Sequence, residues 1–196
     1  MDCTLYVNET DVGDWKYGYS TFSFDITDAL KEGENRLMMQ VRHRSPNTRW
    51  YSGAGIYRDV YIHGYKESYI PLDGVYFHTV KEDADHYAIE IDCECEGVLS
   101  SECVARASLY EKEACVKVLA EASAAGKALI HAKISLSEDK IKEWSLKNPN
   151  CYTLVVELLD ENKNVLDKQC VQVGFRDIQF KTDSGLWLNG ENVKVH

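Results

Sequence analysis

The residues best suited to chemistry lie in one short stretch, "RWYSGAGIYRDV", at positions 49–60. Arginine, tryptophan and tyrosine directly precede a Gly-x-Gly, and two interpretations are open. In the first, the glycines allow unusual backbone angles in a turn whose aromatic side chains cover a core. In the second, the aromatic faces stack on sugar rings while the arginines donate hydrogen bonds to a ligand or to another domain.

Other patterns that could carry catalysis or binding are weak. The chain has no Gly-x-Ser-x-Gly nucleophile elbow, and "GAG" is too short for a phosphate-binding loop. The six histidines are scattered rather than placed at metal-ligand spacing, and no pair of carboxylates is marked out for acid–base work. We therefore expect no catalytic residue, no metal site and no cofactor in this chain.

Charge and hydropathy exclude further classes of protein. The net charge is −10, divided into −1 for residues 1–66 and −9 for residues 67–196, which indicates a domain boundary near Lys66. An acidic surface without a basic stripe argues against nucleic acid as a partner. The sequence shows no apolar run long enough to cross a membrane and no signal peptide. We therefore expect a cytoplasmic protein that binds neither nucleic acid nor membrane.

The seven cysteines predict neither a disulfide framework nor a zinc site. Cys93 and Cys95 are the only close pair, and on one strand face they would leave a zinc site two ligands short. We expect the cysteines to be small, buried and reduced core residues. They occupy positions 3, 93, 95, 103, 115, 151 and 170.

Alternation of apolar and polar residues dominates the chain and predicts an all-β fold. In "HYAIEIDCEC", from 86 to 95, every second residue is apolar or cysteine, which is typical of a half-buried antiparallel strand. Turn residues recur about every ten positions, which favours a β-sandwich. One helix is expected over 137–144, capped by Ser137, and a tight hairpin at Asn189-Gly190. Further strands are expected at 21–26, 36–42, 57–63, 103–110, 127–136, 152–159 and 165–173.

Several segments resemble glycoside hydrolase family 2, the family of β-galactosidases, β-glucuronidases and β-mannosidases. "NTRWYSGAGIYRDVYI" resembles the end of that family's sugar-binding jelly-roll domain. "LYVNETDVGDWKYGYSTFSFDIT" and "LKEGENRLMMQV" are similar to segments that precede it. Two positions depart from the pattern, because Glu9 replaces a usual glycine and Tyr17 replaces the first glycine of Gly-Gly-Tyr.

The second part of the chain continues the resemblance in the same order. "EWSLKNPNCYTLVVELLDE" resembles a segment of the family's immunoglobulin-like middle domain, although Cys151 takes the place of the usual leucine. "VGFRDIQF" is similar to the Gly-Phe-Arg junction into the catalytic barrel, and "LWLNGENVKVH" to the hairpin that opens it. The resemblance therefore covers nearly the whole chain.

The resemblance implies a domain organisation and an absence of catalytic residues. Residues 1–66 would be the C-terminal part of the jelly-roll domain, 67–174 an immunoglobulin-like β-sandwich, and 175–196 the first hairpin of the (β/α)₈ catalytic domain. Members of the family are retaining hydrolases whose two catalytic glutamates lie in that barrel, which needs about 200–250 residues. The chain would then be an internal fragment with no catalytic residue, inactive alone.

The resemblance also supplies candidate site residues and partners. Asn47, Arg49, Trp50 and Tyr51 are implied to contact the substrate rim or a neighbouring domain, with interdomain packing favoured. Arg176 is implied to form an interdomain or local salt bridge. The expected partners are a carbohydrate substrate through the parent enzyme, the barrel domain and, at the edge of the partial jelly roll, a second copy of the chain. A metal ion in the parent is left open.

The sequence thus predicts the non-catalytic β-sandwich portion of a retaining glycoside hydrolase, of the β-galactosidase type. An alternative reading is a free-standing carbohydrate-binding or adhesion β-sandwich. That alternative leaves the barrel-like hairpin near the end of the chain unexplained. The particular glycoside is chosen mainly in the barrel, so this sequence does not determine it.

Overall fold

The computed structural model describes residues 2–43 and 53–194, and these contain two compact units. Unit 1 comprises residues 1–62 and unit 2 comprises residues 63–196. The structure is all-β apart from one short 3-10 turn at Thr27–Ala29, and the predicted fold class is confirmed. No helix among the described residues is long and apolar enough to cross a membrane.

Unit 1 is built on a three-stranded antiparallel sheet in which the strand nearest the N-terminus lies in the middle. Asn8 forms the tight turn between the first two strands, where its φ of 50° is one that asparagine tolerates better than most residues. Its side chain also accepts a hydrogen bond from the Arg36 N–H and donates one to the Ala29 carbonyl. The strands are β1 (Asp2–Val7), β2 (Thr10–Trp15) and β3 (Leu37–Arg42).

Two strands expected in unit 1 do not form. Residues 21–26 and 57–63 have the alternating pattern, but neither run pairs with a strand in the described part of the chain. A strand is stable only when a neighbour satisfies its backbone N–H and C=O groups, so a pattern without a partner stays irregular. Both predictions were therefore wrong for this chain.

Unit 2 contains a seven-stranded sandwich of two antiparallel sheets. The strands are β4 (Ser68–Tyr69), β5 (Val75–Lys81), β6 (His86–Glu94), β7 (Glu96–Gly97), β8 (Val104–Glu111), β9 (Ala114–Ser123), β10 (Lys127–Ser135), β11 (Tyr152–Leu159) and β12 (Val165–Val173). One sheet has the order β10-β6-β5 and the other the order β12-β11-β8-β9, an arrangement of three and four strands typical of immunoglobulin-like domains. The small pair β4-β7 lies beside them.

The two sheets share one apolar core, as the alternating pattern predicts. In β6 every second residue from Tyr87 to Cys93 is buried, whereas Glu90 and the other residues of the opposite face are exposed or half-buried. In β11 the alternate residues Leu154, Val156 and Leu158 are likewise buried. Burial of these side chains is the main source of stability in a domain of this kind.

The prediction for the cysteines is confirmed only in part. All seven are free, and Cys93, Cys95 and Cys103 are buried in the core of unit 2. The prediction of burial is wrong for three others, which lie on the solvent-facing side of the sandwich or in loops. These exposed cysteines are Cys115, Cys151 and Cys170.

The helix predicted over 137–144 does not form. Asp85 accepts a hydrogen bond from the Ser137 N–H at 2.9 Å, and the Tyr152 hydroxyl accepts one from the Lys142 N–H at 2.8 Å. The Tyr152 bond takes the Lys142 N–H that a helix would pair with the Glu138 carbonyl, and the segment is turn over 137–140 and irregular over 141–144. Tertiary hydrogen bonds have overridden a local preference that is worth little per residue.

The chain ends in a small three-stranded sheet whose turn was predicted correctly. The strands are β13 (Ile178–Lys181), β14 (Gly185–Leu188) and β15 (Glu191–Asn192), in the order β13-β14-β15. Asn189 and Gly190 have φ values of 49° and 80°, which suit a tight turn between β14 and β15.

Candidate functional site

Four of the predicted site residues are not covered by the structure. Asn47, Arg49, Trp50 and Tyr51 lie outside the described residues, so their role at a substrate rim or a domain interface stays a prediction. The part of that loop which is described is exposed. Within it the Tyr57 hydroxyl donates a hydrogen bond to the Gly18 carbonyl at 2.9 Å.

The remaining predicted residue, Arg176, lies where the sandwich passes into the terminal sheet. Its guanidinium carbon is 5.0 Å from the centroid of the Trp144 ring, a cation–π contact. The salt bridge and the interdomain role inferred for Arg176 stay predictions, whereas its contact with Trp144 is local to unit 2. We call Trp144, Phe175, Arg176 and Asn189 the junction cluster.

Phe175 is the buried centre of the junction cluster. Its side chain has no solvent exposure, and its ring meets three others edge to face at centroid distances of 5.8–5.9 Å. The three partners are Phe77, Tyr87 and Tyr152, from β5, β6 and β11. Because these strands belong to both sheets, Phe175 packs on both halves of the sandwich.

Asn189 connects the terminal sheet to the end of the sandwich at Trp144 by hydrogen bonds. Its side-chain amide donates a hydrogen bond to the Trp144 carbonyl at 2.9 Å, and its side-chain oxygen accepts one from the Asp177 N–H at 2.9 Å. The Trp144 N–H in turn donates to the Phe175 carbonyl at 2.8 Å. The tight turn of the hairpin is therefore hydrogen-bonded to the end of the sandwich, not only to its own strands.

A carboxylate network supports the junction cluster from the side of β5. Glu143 Oε1 accepts hydrogen bonds from Lys81 Nζ and from the Tyr87 hydroxyl, both at 2.6 Å. Burial alone would raise the pKa of Glu143, but these two donors outweigh it and the pKa is lowered. Burial and the adjacent Glu143 carboxylate raise the pKa of Tyr87, so the phenol stays protonated and donates.

Glu143→Gln is expected to lower the free energy of unfolding by about 1 to 2 kcal/mol at pH 7, because two hydrogen bonds lose their charged acceptor. The folded pKa of Glu143 lies below the ordinary glutamate value of 4.5. Its contribution is therefore complete above that pH and is lost as the pH falls through the folded pKa. The difference between wild type and variant should shrink on acidification.

The measurement for Glu143 is urea unfolding at a series of pH values between neutral and acid. Glu161→Gln, at an exposed glutamate in a turn, is the matched control and should follow the wild-type curve. A constant difference between Glu143→Gln and wild type at every pH would contradict the assignment.

A shallow open cleft of about 880 Å³ borders the junction cluster. It runs between β5 and β12, and its lining includes Tyr76, His78, Trp144, Cys151 and Arg176. Both strands are edge strands of their sheets. The cleft is thus an open side of the sandwich, not an enclosed pocket of the kind that holds a small molecule.

The junction cluster has the contacts of a structural joint. In the Glu143 network beside it, the Tyr87 phenol and the Glu143 carboxylate bind each other, and the Arg176 guanidinium of the cluster packs on the Trp144 ring. No three His, Cys, Asp or Glu side chains in the described ranges are grouped so that they could hold a metal ion. Sequence reasoning missed Glu143 and Asn189 as members of this joint. The Asn-Gly pair at 189–190 indicated a turn at Asn189, whereas no sequence pattern indicated the hydrogen bonds of Glu143.

Fold and site together define a class: an immunoglobulin-like sandwich that is coupled through Gly-Phe-Arg to a small terminal sheet. The chain belongs to glycosyl hydrolases family 2, whose family model matches residues 70–176. The match covers more than half of the chain and contains Trp144, Phe175 and Arg176. It confirms the family inferred from the sequence motifs.

The relatives of this chain are glycosidases that are much longer than it is. It is 30% identical over 196 residues to a putative β-glucuronidase of Formosa agariphila, covering all of this chain and 18% of that protein. It is 28% identical over 204 residues to the β-galactosidase BoGH2A of Bacteroides ovatus, covering all of this chain and 24% of that protein. The chain therefore spans about a fifth of the length of these curated relatives.

Solved structures agree with the fold. A β-glycosidase from Bacteroides vulgatus superposes with a TM-score of 0.84 and 27% identity, covering 98% of this chain and 24% of that one. A family 2 member from Bacteroides cellulosilyticus superposes with a TM-score of 0.82 over 99% of this chain and 27% of its own, at 23% identity. At that lower identity the likeness bears on the fold alone.

Proposed function

We propose that this chain is the non-catalytic β-sandwich portion of a retaining glycoside hydrolase that acts on β-glycosidic bonds. One observation carries the proposal: the chain aligns along its whole length with proteins named β-glucuronidase and β-galactosidase, yet spans about a fifth of them. In the junction cluster and the adjacent Glu143 network, the groups that could do acid–base chemistry are engaged in structural contacts. The catalytic groups would then lie in another part of the parent protein.

The finer part of the proposal is the substrate. We propose a parent of the β-galactosidase type. The names of the relatives include both β-galactosidase and β-glucuronidase, so both substrates belong in the test. The junction cluster would hold the catalytic domain in register with the sandwich, through the hydrogen bonds of Asn189 to Trp144 and Asp177.

The expected result is no turnover by the 196-residue chain. The test compares this chain with a version extended by a catalytic domain, on nitrophenyl β-galactoside, β-glucuronide and β-mannoside. The extended protein should turn over, since it alone would contain the two catalytic carboxylates. Under the finer proposal its fastest substrate is the β-galactoside. Turnover by the short chain alone would overturn the non-catalytic role. Preference for another glycoside would overturn only the finer proposal.

A further inference from the structure

Asn189 and Gly190 are the one Asn-Gly pair of the sequence, and they form the tight turn between β14 and β15. Asparagine followed by glycine is the dipeptide most prone to spontaneous deamidation, because glycine has no Cβ to hinder attack by its backbone nitrogen. An added Cβ at Gly190 would have no atom within 4 Å beyond its chain neighbours. The surroundings of Gly190 therefore do not hinder the reaction.

Hydrogen bonds hold the other reaction partner, the Asn189 side chain. Its Nδ2 donates to the Trp144 carbonyl and its Oδ1 accepts from the Asp177 N–H, both at 2.9 Å. The Asn189 N–H also donates to the Asp177 carbonyl at 2.8 Å. Deamidation removes Nδ2 as ammonia and brings the side-chain carbon to the Gly190 nitrogen. Both side-chain hydrogen bonds must therefore break before the reaction proceeds.

We propose that Asn189-Gly190 is a deamidation site that the junction cluster protects and that reacts once the terminal sheet opens. The Gly190 nitrogen forms a bond to Asn189 Cγ, the Cγ–Nδ2 bond breaks, and the Gly190 amide proton leaves with Nδ2 as ammonia. Water then opens the resulting succinimide ring at either of its carbonyl carbons, giving aspartate or isoaspartate. Water is the one co-reactant, and the inference does not rest on the proposed function.

The product of deamidation cannot restore the junction. A carboxylate at position 189 has only acceptor oxygens, so it can still accept from the Asp177 N–H but has no donor for the Trp144 carbonyl. Isoaspartate also lengthens the main chain by one carbon, in a turn whose first residue has a φ of 49°. Deamidation would therefore uncouple the terminal sheet from the end of the sandwich, and the change would be permanent.

The first test compares deamidation of the complete 196-residue chain, folded and in guanidinium, at mildly alkaline pH. Trypsin releases residues 182–194 as one peptide, and liquid chromatography with mass spectrometry separates its asparagine, aspartate and isoaspartate forms. The folded chain should react about tenfold to a hundredfold more slowly, the effect of breaking two hydrogen bonds. Asn192, which precedes valine in the same peptide, is the internal control and should not react. Equal rates for the folded and denatured chains would overturn the protection.

The second test locates the protection at the junction cluster. Trp144→Ala removes the ring on which Arg176 packs, and it should accelerate deamidation of the folded chain by about twofold to fivefold, the effect of losing one cation–π contact. Phe180→Ala, at an exposed ring on β13, is the matched control and should react at the wild-type rate. Equal acceleration by both variants would overturn the role of the junction cluster.

The third test examines the consequence with Asn189→Asp, which reproduces one product of the reaction and leaves the sandwich core unchanged. Its amide groups in β14 should exchange hydrogen for deuterium about threefold to tenfold faster than those of wild type, because the bond to the Trp144 carbonyl is lost. Asn162→Asp, in an exposed turn of unit 2, is the matched control and should exchange as wild type does. Unchanged exchange in Asn189→Asp would overturn the loss of coupling.

Discussion

Phe175→Ala is expected to lower the free energy of unfolding of unit 2 by about 3 to 5 kcal/mol, the range for deleting a fully buried phenylalanine ring. The ring has no exposed surface and contacts Phe77, Tyr87 and Tyr152. These contacts come from both sheets, so neighbouring side chains cannot fill the cavity without moving the sheets. Edge-to-face packing is lost in addition to buried area.

The measurement for Phe175→Ala is calorimetric melting together with urea unfolding, which resolves unit 1 from unit 2 if they unfold separately. Phe180→Ala is the matched control, because Phe180 lies only five residues away but is 82% exposed on β13. Its replacement should change stability by no more than about 0.5 kcal/mol. Similar losses for the two variants would show that Phe175 is not the centre of the core.

Gly97→Ala should destabilise unit 2 by about 3 to 5 kcal/mol, combining left-handed strain with overpacking. Gly97 has a φ of +93°, and an added Cβ would lie 1.7 Å from the Glu67 carbonyl oxygen. That atom belongs to the backbone next to β4, which pairs with β7 through Ser68 and Gly97. A flexible side chain could move aside, but here the paired strand itself would have to shift.

The variant Gly126→Ala measures the cost of backbone strain without the steric overlap that an added Cβ meets at Gly97. Gly126 has nearly the same φ, +92°, but an added Cβ there has no atom within 4 Å. It should cost only about 1 to 2 kcal/mol, the strain of the backbone angle alone. Urea unfolding of both variants gives the comparison. If Gly97→Ala costs no more than Gly126→Ala, the close approach of Glu67 is not rigid.

Both predictions concern how unit 2 holds its ends. Gly97 has no side chain, which allows the backbone of Glu67 and Ser68, at the start of the sandwich, to pass close to it. In the same segment the Ile70 N–H donates a hydrogen bond to the Asp167 carboxylate at 2.8 Å. Phe175 closes the other end, immediately before the terminal sheet.

The sequence by itself determined the strands whose signal is local. β11 and β12 have the bounds predicted from alternation, and β6 buries the face that its pattern indicated. The Asn189-Gly190 turn followed from the tolerance of both residues for positive φ. Motif order also identified the family, which the family model confirms. These features depend on residues that are close together in the sequence, so they can be predicted from the sequence alone.

Only the tertiary structure decided the rest, because the deciding contacts join residues far apart in sequence. Residues 137–144 do not form the predicted helix, and the Tyr152 hydroxyl takes the Lys142 N–H that such a helix would use. Residues 57–63 are not a strand because no described strand pairs with them. Glu143 joins the junction through Lys81, 62 positions away, and no pattern in its own segment indicates that. Pairing, capping and burial of polar groups depend on which segments meet, and only the folded chain brings them together.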